Sequence, residues 1–407
     1  MIFVGVDWAE AHNDVAVMDE DGRLLGRGRF GVGMAGLAGL HALVADHADE
    51  PEQVAVGIEI DHGLLVDSLV GAGYAVYGLN PLSVSRYRGR HVSSGAKSDA
   101  GDAKLLADLV RTDRHNHRQI AGDSAEAGAI RVLARGHQGL VWTRQRQVSG
   151  LRSALRGYLP AALAALGEDL GSADALAILA IAPTPDRARG LSRAKIAGAL
   201  ARGGRTRNLE RRAVQIQAAL RGEHPEAAAA VADAFGAATA ARVAVLVALN
   251  QQIAELERQL GERFERHPDA EILGSLPGLG TVLGARVLGE FGDDPNRFAD
   301  ARGRKAYAGT APITKASGRS LVVLARVARN RRLADACAWW AFCSLSASPG
   351  ARGYYGAPRA RGKTHRQATR QLANRWVGIL HACLEQRVSY REELAWPLRP
   401  EVLSAAA

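Results

Sequence analysis

The stretch IFVGVDWAEAHNDVAVMDEDGRLLGRGRF, residues 2–30, decides the fold class. Three short apolar and β-branched runs, IFVGVDW, DVAVMDE and LLGRGRF, are separated by the turn material EAHN and EDGR. That order predicts an antiparallel meander. Beyond it GLAGLHALVADH (helix), QVAVGIEI (strand), GLLVDSLVGAG (helix), AVYGLN (strand) and a further helix alternate. Parallel strands are therefore added beside the meander, and residues 1–120 read as an α/β domain.

Period-two alternation puts Ile2, Val4 and Val6 on one face of the first strand and Phe3, Gly5 and Asp7 on the other. In VAVGIEI the same rule groups Val54, Val56, Ile58 and Ile60 and leaves Ala55, Gly57 and Glu59 opposite. Each strand thus carries Gly-x-acid, and an acid set in an apolar strand is costly unless a cation or proton satisfies it. GAKSDAGDAKLLADLV, residues 95–110, adds Asp99 and Asp102, three apart and on one face of a helix that begins near Ser98. If the two strands are neighbours, the four carboxylates converge on one hollow. Hard divalent cations with oxygen ligands relieve such repulsion, and a pair of Mg²⁺ ions is a standard device for phosphoryl displacement. Asp14 is set aside because it starts the second strand, and Asp61, Asp67 and Asp108 because they fall beyond a strand or on helices.

Residues 121–268 lose the strand signals. Leu246, Leu249, Ile253, Leu256 and Leu260 recur at alternating intervals of three and four, which is coiled-coil spacing and predicts an oligomerisation helix. Residues 269–395 form a third, mainly helical region. It opens on LPGLGTVLGARVL, the pattern of a helix-hairpin-helix whose Gly278 and Gly280 let backbone N–H groups approach a phosphate. Between Ala301 and Ala334 there are nine Lys/Arg and no carboxylate. Within that stretch Ser317 lies in a Ser-Gly turn flanked by Lys315 and Arg319 and followed by Arg326, Arg329, Arg331 and Arg332, a setting suited to a phosphodiester. Trp339 and Trp340 in ACAWWAFCSL read as core residues.

A formal net charge of +10 over 407 residues favours a polyanionic partner. Cys337, Cys343 and Cys383 have no CxxC spacing, which points away from a zinc site or disulfide framework. The N-terminus lacks a signal-peptide pattern and no uninterrupted apolar run approaches a membrane span, so a soluble, cytoplasmic protein is expected.

GVDWAEAHND, GIEI and KSDAGDAKLLADL together resemble the DEDD, RuvC-like (RNase H-fold) domain of the insertion sequence 110 family of transposases. The resemblance extends through the helical middle to a C-terminal transposase domain. It implies that Asp7, Glu59, Asp99 and Asp102 are the metal-binding acids. It also implies that Ser317, in the context Gly309, Pro312, Ser317, Gly318, is a covalent nucleophile. Thr310 departs from the usual apolar residue of that context, and Ser320 lies close enough to compete for the role. The implied partners are DNA at the element's ends and target, and a structured noncoding guide RNA. The implied assembly is a homo-oligomer, dimer or tetramer, with serine and acids meeting within one protomer or between two. Two other readings stand beside this one: a RuvC-like endonuclease that hydrolyses with metal-bound water, and a non-catalytic nucleic-acid-binding protein.

Overall fold

The computed structural model describes residues 1–91, 98–120, 122–225, 227–327 and 329–396. Two compact units are present: the described residues of Met1–Ser124 together with Asp294–Ala299, and Ala125–Asp293 together with the described residues from Asp300 onward.

In the first unit the meander is β1 (Ile2–Trp8), β2 (His12–Met18) and β3 (Leu24–Gly31), followed by α1 (Met34–Ala45), β4 (Val54–Ile58), α2 (Leu64–Gly71), β5 (Ala75–Gly78), α3 (Pro81–His91), α4 (Asp99–Asp113) and β6 (Arg118–Gln119). The sheet order is β3-β2-β1-β4-β5-β6. β1 is antiparallel to β2 and parallel to β4, as the alternation of segments predicts. Val4, Val6, Val56 and Ile58 pack against Leu40 of α1 and Leu69 of α2 on one face. Phe3 and Ala55 pack with Leu106, Leu109 and Val110 of α4 on the other. The short edge strand β6 has no counterpart in the sequence reading; two residues carry no legible period. Segment 294–299 returns to this unit: Asp294 Oδ2 accepts from the Gly122 amide at 3.0 Å, and Arg297 pairs with Asp123.

The second unit is mostly helical. Helix α5 (Ala125–Tyr158) leads into α6 (Pro160–Leu166), α7 (Ala173–Ile181), α8 (Pro185–Arg189), α9 (Arg193–Arg202) and α10 (Leu209–Leu220), and α11 (Ala229–Arg266) returns. Helix α11 runs antiparallel along α5, with Arg263 bonded to Glu126 at 3.0 Å, Glu257 to His137 at 3.1 Å and Asn250 to Arg144 at 2.6 Å. The apolar stripe of α11 is spent inside the chain: Leu246 and Leu260 are fully buried. Helix α11 is also long and apolar enough to cross a membrane by length and composition, which the sequence reading did not single out.

Then come α12 (Ala270–Gly274), α13 (Thr281–Phe291), α14 (Ala301–Tyr307), the hairpin β7 (Ile313–Ser317) and β8 (Ser320–Leu324), α15 (Arg331–Ala347), α16 (Pro349–Ala360), α17 (His365–Gln386) and α18 (Glu392–Ala395). Trp340 and Trp376, both buried, stack at 5.4 Å and hold α15 to α17. Trp339 departs from the expected core role and is 54% exposed. Burial pushes the Cys337 thiol up to about 12, so it stays protonated at neutral pH.

Candidate active site

The Gly-x-acid pattern in β1 and β4 has a packing cause. Gly5 and Gly57 pair directly in the parallel register, and α4 lies across both. A side chain at Gly5 would overlap the Ala103 carbonyl and the Ala107 amide, and one at Gly57 would come within 2.8 Å of the Leu106 carbonyl. Glycine thus lets the helix backbone rest on the strands. Two residues on are Asp7, near the end of β1, and Glu59, in the bend just past β4.

The direction of α4 decides which of its ends meets them. Arg114, just past its C-terminus, lies over the Phe3 ring at 5.1 Å, and Gly5 meets Ala103 and Ala107. The N-terminal turn of α4, with Asp99 and Asp102, is therefore at the Asp7 end of the strand. Ser98 caps that turn, its Oγ accepting from the Gly101 amide at 3.2 Å. Asp102 is 7% exposed and accepts from Arg88 of α3 at 2.6 Å.

One neighbour was misjudged from the sequence. Asp14 sits directly opposite Asp7 in the antiparallel register, and Arg29 opposite Asp14. At one level of the sheet the paired residues read Arg29, Asp14, Asp7. Arg29 donates to both oxygens of Asp14 at 3.0 Å and to Asp99 at 3.2 Å. His12 Nε2 lies 3.4 Å from Asp14 and 3.9 Å from Asp99. His12, Asp14 and Asp99 form a cluster whose ligand atoms lie within 4.8 Å of one another. The donor set at this end of the sheet, oxygen with one imidazole at its rim, suits a hard divalent ion. The signal that would have found Asp14 was strand register, which linear spacing does not contain.

Ser317 ends β7 and pairs with Ser320 across a two-residue turn whose Gly318 takes φ 56°, a left-handed value glycine adopts without strain. Every hairpin residue except Ile313 is exposed, so Ser317, Lys315 and Arg319 all face solvent. The root of the hairpin is fixed by Asn330, which caps α15 by accepting from the Leu333 amide and donates to Glu290 at 2.6 Å. Glu290 is buried and takes a two-pronged bond from Arg135 at 2.8 and 2.9 Å.

The other cations divide. Arg331 is exposed and Arg326 is half-buried. Arg329 lies over Gly309, which takes φ 70°. Arg332 is turned inward, bonded to the Arg135 carbonyl and Gln138 and set over the Trp142 ring at 5.0 Å, so it joins α15 to α5. Gly278, at φ 77°, faces the backbone of α15, where an added side chain would come within 2.7 Å of Cys343. The glycine serves packing at that point. Gly280, which precedes α13, is exposed.

Residues 4–160 match the DEDD family of the IS110 type, described as transposase, and residues 270–356 match the family described as transposase IS116/IS110/IS902. The chain is 45% identical to the mini-circle putative transposase for IS117 of Streptomyces coelicolor, covering 100% of this chain and 98% of that protein. It is 32% identical to the uncharacterized 42 kDa protein of insertion element IS900 of Mycobacterium paratuberculosis, over 96% and 97% of the two chains. With two family models matched and a relative aligned along its whole length, the protein belongs to the IS110 family of transposases, enzymes that cut and recombine DNA.

Proposed function

We propose that this transposase cleaves and rejoins DNA strands at its element's ends and target through a covalent phosphoserine link to Ser317, assisted by Mg²⁺ at Asp7, Glu59, Asp99 and Asp102. The reading is supported by the way α4 crosses β1 and β4, which puts its acidic first turn, Asp99 and Asp102, toward the end of β1 that carries Asp7. Bound there, Mg²⁺ would neutralise charge on the phosphodiester oxygens. Arg29, which bridges Asp14 and Asp99, takes only the Oδ2 of Asp99 and leaves its other oxygen to the metal.

The chemistry of the serine balances without an external energy source. The Ser317 hydroxyl attacks phosphorus, an Oγ–P bond forms as one P–O bond to deoxyribose breaks, and the hydroxyl proton ends on the leaving sugar oxygen. The phosphodiester energy is kept in the serine link, so attack by another DNA hydroxyl rejoins strands. Lys315, Arg319, Arg326, Arg329 and Arg331, with the Gly280 amide region in a helix-hairpin-helix role, would hold phosphates and position DNA without reading its sequence. Sequence choice would fall to the structured noncoding RNA, through base pairing. The assembly is a homo-oligomer in this reading, helped by apolar side chains that α11 still exposes, such as Val245 at 48% and Val231 at 47%.

Purified protein with its co-purifying RNA, Mg²⁺ and labelled DNA carrying the element's junction test it. Wild type is expected to give cleaved and rejoined strands, and Ser317→Ala and Asp102→Asn neither. Cleavage that persists in Ser317→Ala would overturn the covalent step and leave a hydrolytic nuclease.

A further inference from the structure

The second unit contains a cavity of about 480 Å³ at the root of the β7–β8 hairpin. Ala308, Gly309 and Thr310, just before β7, form one wall, and Arg329, just after β8, another. Trp339 and Phe342 of α15 stand in it, 54% and 51% exposed, with ring centres 6.0 Å apart and planes at 85°. Its volume is in the range that holds a small organic ligand. Arg329, Arg366 and Arg370 line it, and no carboxylate does among the described residues.

Flat apolar walls ringed by guanidinium groups match a flat apolar group carried between anions. We infer that this cavity accepts one unstacked nucleobase of a single strand, with Trp339 as the stacking platform and Arg366 and Arg370 on the flanking phosphates. The inference rests on the reading that this chain handles nucleic acid, and adds to it the state of the strand: unpaired at the root of the hairpin that bears Ser317. Duplex ends or a guide strand both present such a base, so the shared chemistry is a nucleobase between two phosphates. Stacking accepts any base, because each has a π-face. Trp339 points away from the packed side of α15, whose buried residues are Leu333, Ala336, Cys337, Trp340, Ala341 and Ser344, so its truncation leaves the core intact.

Fluorescence anisotropy with the full chain tests this, using short oligothymidylate, oligouridylate of equal length and a DNA duplex. Trp339→Ala is expected to weaken single-strand binding about tenfold and duplex binding by no more than about twofold, with Trp339→Phe restoring most of the loss. The double variant Arg366→Ala/Arg370→Ala is expected to lower the slope of log affinity against log salt by about 1.4 on single strands. Whichever homopolymer shows the larger Trp339 effect identifies the strand as DNA or RNA. Equal loss on single strand and duplex, or none on either, overturns the inference while leaving the nucleic-acid reading intact. A change of oligomeric state in Trp339→Ala with binding unaltered overturns it in favour of a protein partner. Wild type that binds no nucleic acid overturns both.

Discussion

Arg29 holds two carboxylates, Asp14 and Asp99, with one guanidinium at the end of the sheet. Removing it leaves acids facing one another with less to screen them. Arg29→Ala is therefore expected to melt a few degrees lower in chelator and to regain more of that loss than wild type regains on adding Mg²⁺, read by thermal unfolding. An equal Mg²⁺ response in both proteins would argue against a cation site there. At this scale the sequence was informative about Asp7 and Glu59, because strand alternation makes a polar residue in an apolar run conspicuous. It was uninformative about Asp14 and Arg29, which enter only through pairing across three strands. Trp339 and Trp340 are adjacent in a helix and differ by a rotation of about 100°. Nothing local distinguishes the one that packs on Trp376 from the one that faces the cavity.

Among the elements, α4 is the one on which the acidic site depends, and Gly5 is where it touches the sheet most closely. Gly5→Ala must push the helix off β1, with an expected cost of about 3 kcal/mol, at the upper end of overpacking, in urea unfolding, together with loss of DNA cleavage. Gly280→Ala, at an exposed position with nothing close to an added Cβ, is expected to unfold like wild type. Equal stability of Gly5→Ala and Gly280→Ala would contradict the packing account. The helical middle shows what a heptad can and cannot say. Leu246 to Leu260 correctly mark an apolar seam, but the spacing is the same whether the partner helix belongs to another chain or, as α5 does here, to this one. The β7–β8 hairpin was read only as a Ser-Gly turn. Its strands leave Leu321, Val322 and Val323 exposed, so no buried face imposes a strong pattern on them.

Across the whole molecule, a net charge of +10 and a carboxylate-free basic stretch that contains the hairpin direct the chain toward polyanions. Glu290 is a buried acid of the second unit, bonded to Arg135 and Asn330. Burial pushes its carboxyl up, yet the bonds from Arg135 and Asn330 and the charges of Arg135 and Arg131 pull it further down, leaving it below the usual carboxylate range. The folded chain therefore binds this proton more weakly than the unfolded chain does. Its contribution is complete above an ordinary carboxylate pKa of about 4.3 and is lost as the pH falls through the lowered folded value. Glu290→Gln is expected to be less stable than wild type at pH 7 and to lose less on acidification below about pH 5, a difference readable from urea midpoints across pH. A parallel acid loss in both proteins would assign that loss to other groups.

The covalent step is the centre of the account, and the sequence offers a direct way to locate it. Trypsin cuts after Lys315 and Arg319, so Ser317 falls in the peptide Ala316–Arg319 and Ser320 in Ser320–Arg326. The decisive measurement is mass spectrometry of the tryptic peptides after the protein with its co-purifying RNA has reacted with junction DNA and Mg²⁺ and nucleases have trimmed the nucleic acid. The account predicts a nucleotide phosphate on Ala316–Arg319, absent in Asp102→Asn. A nucleotide on Ser320–Arg326, or cleaved DNA with no modified peptide, would contradict it.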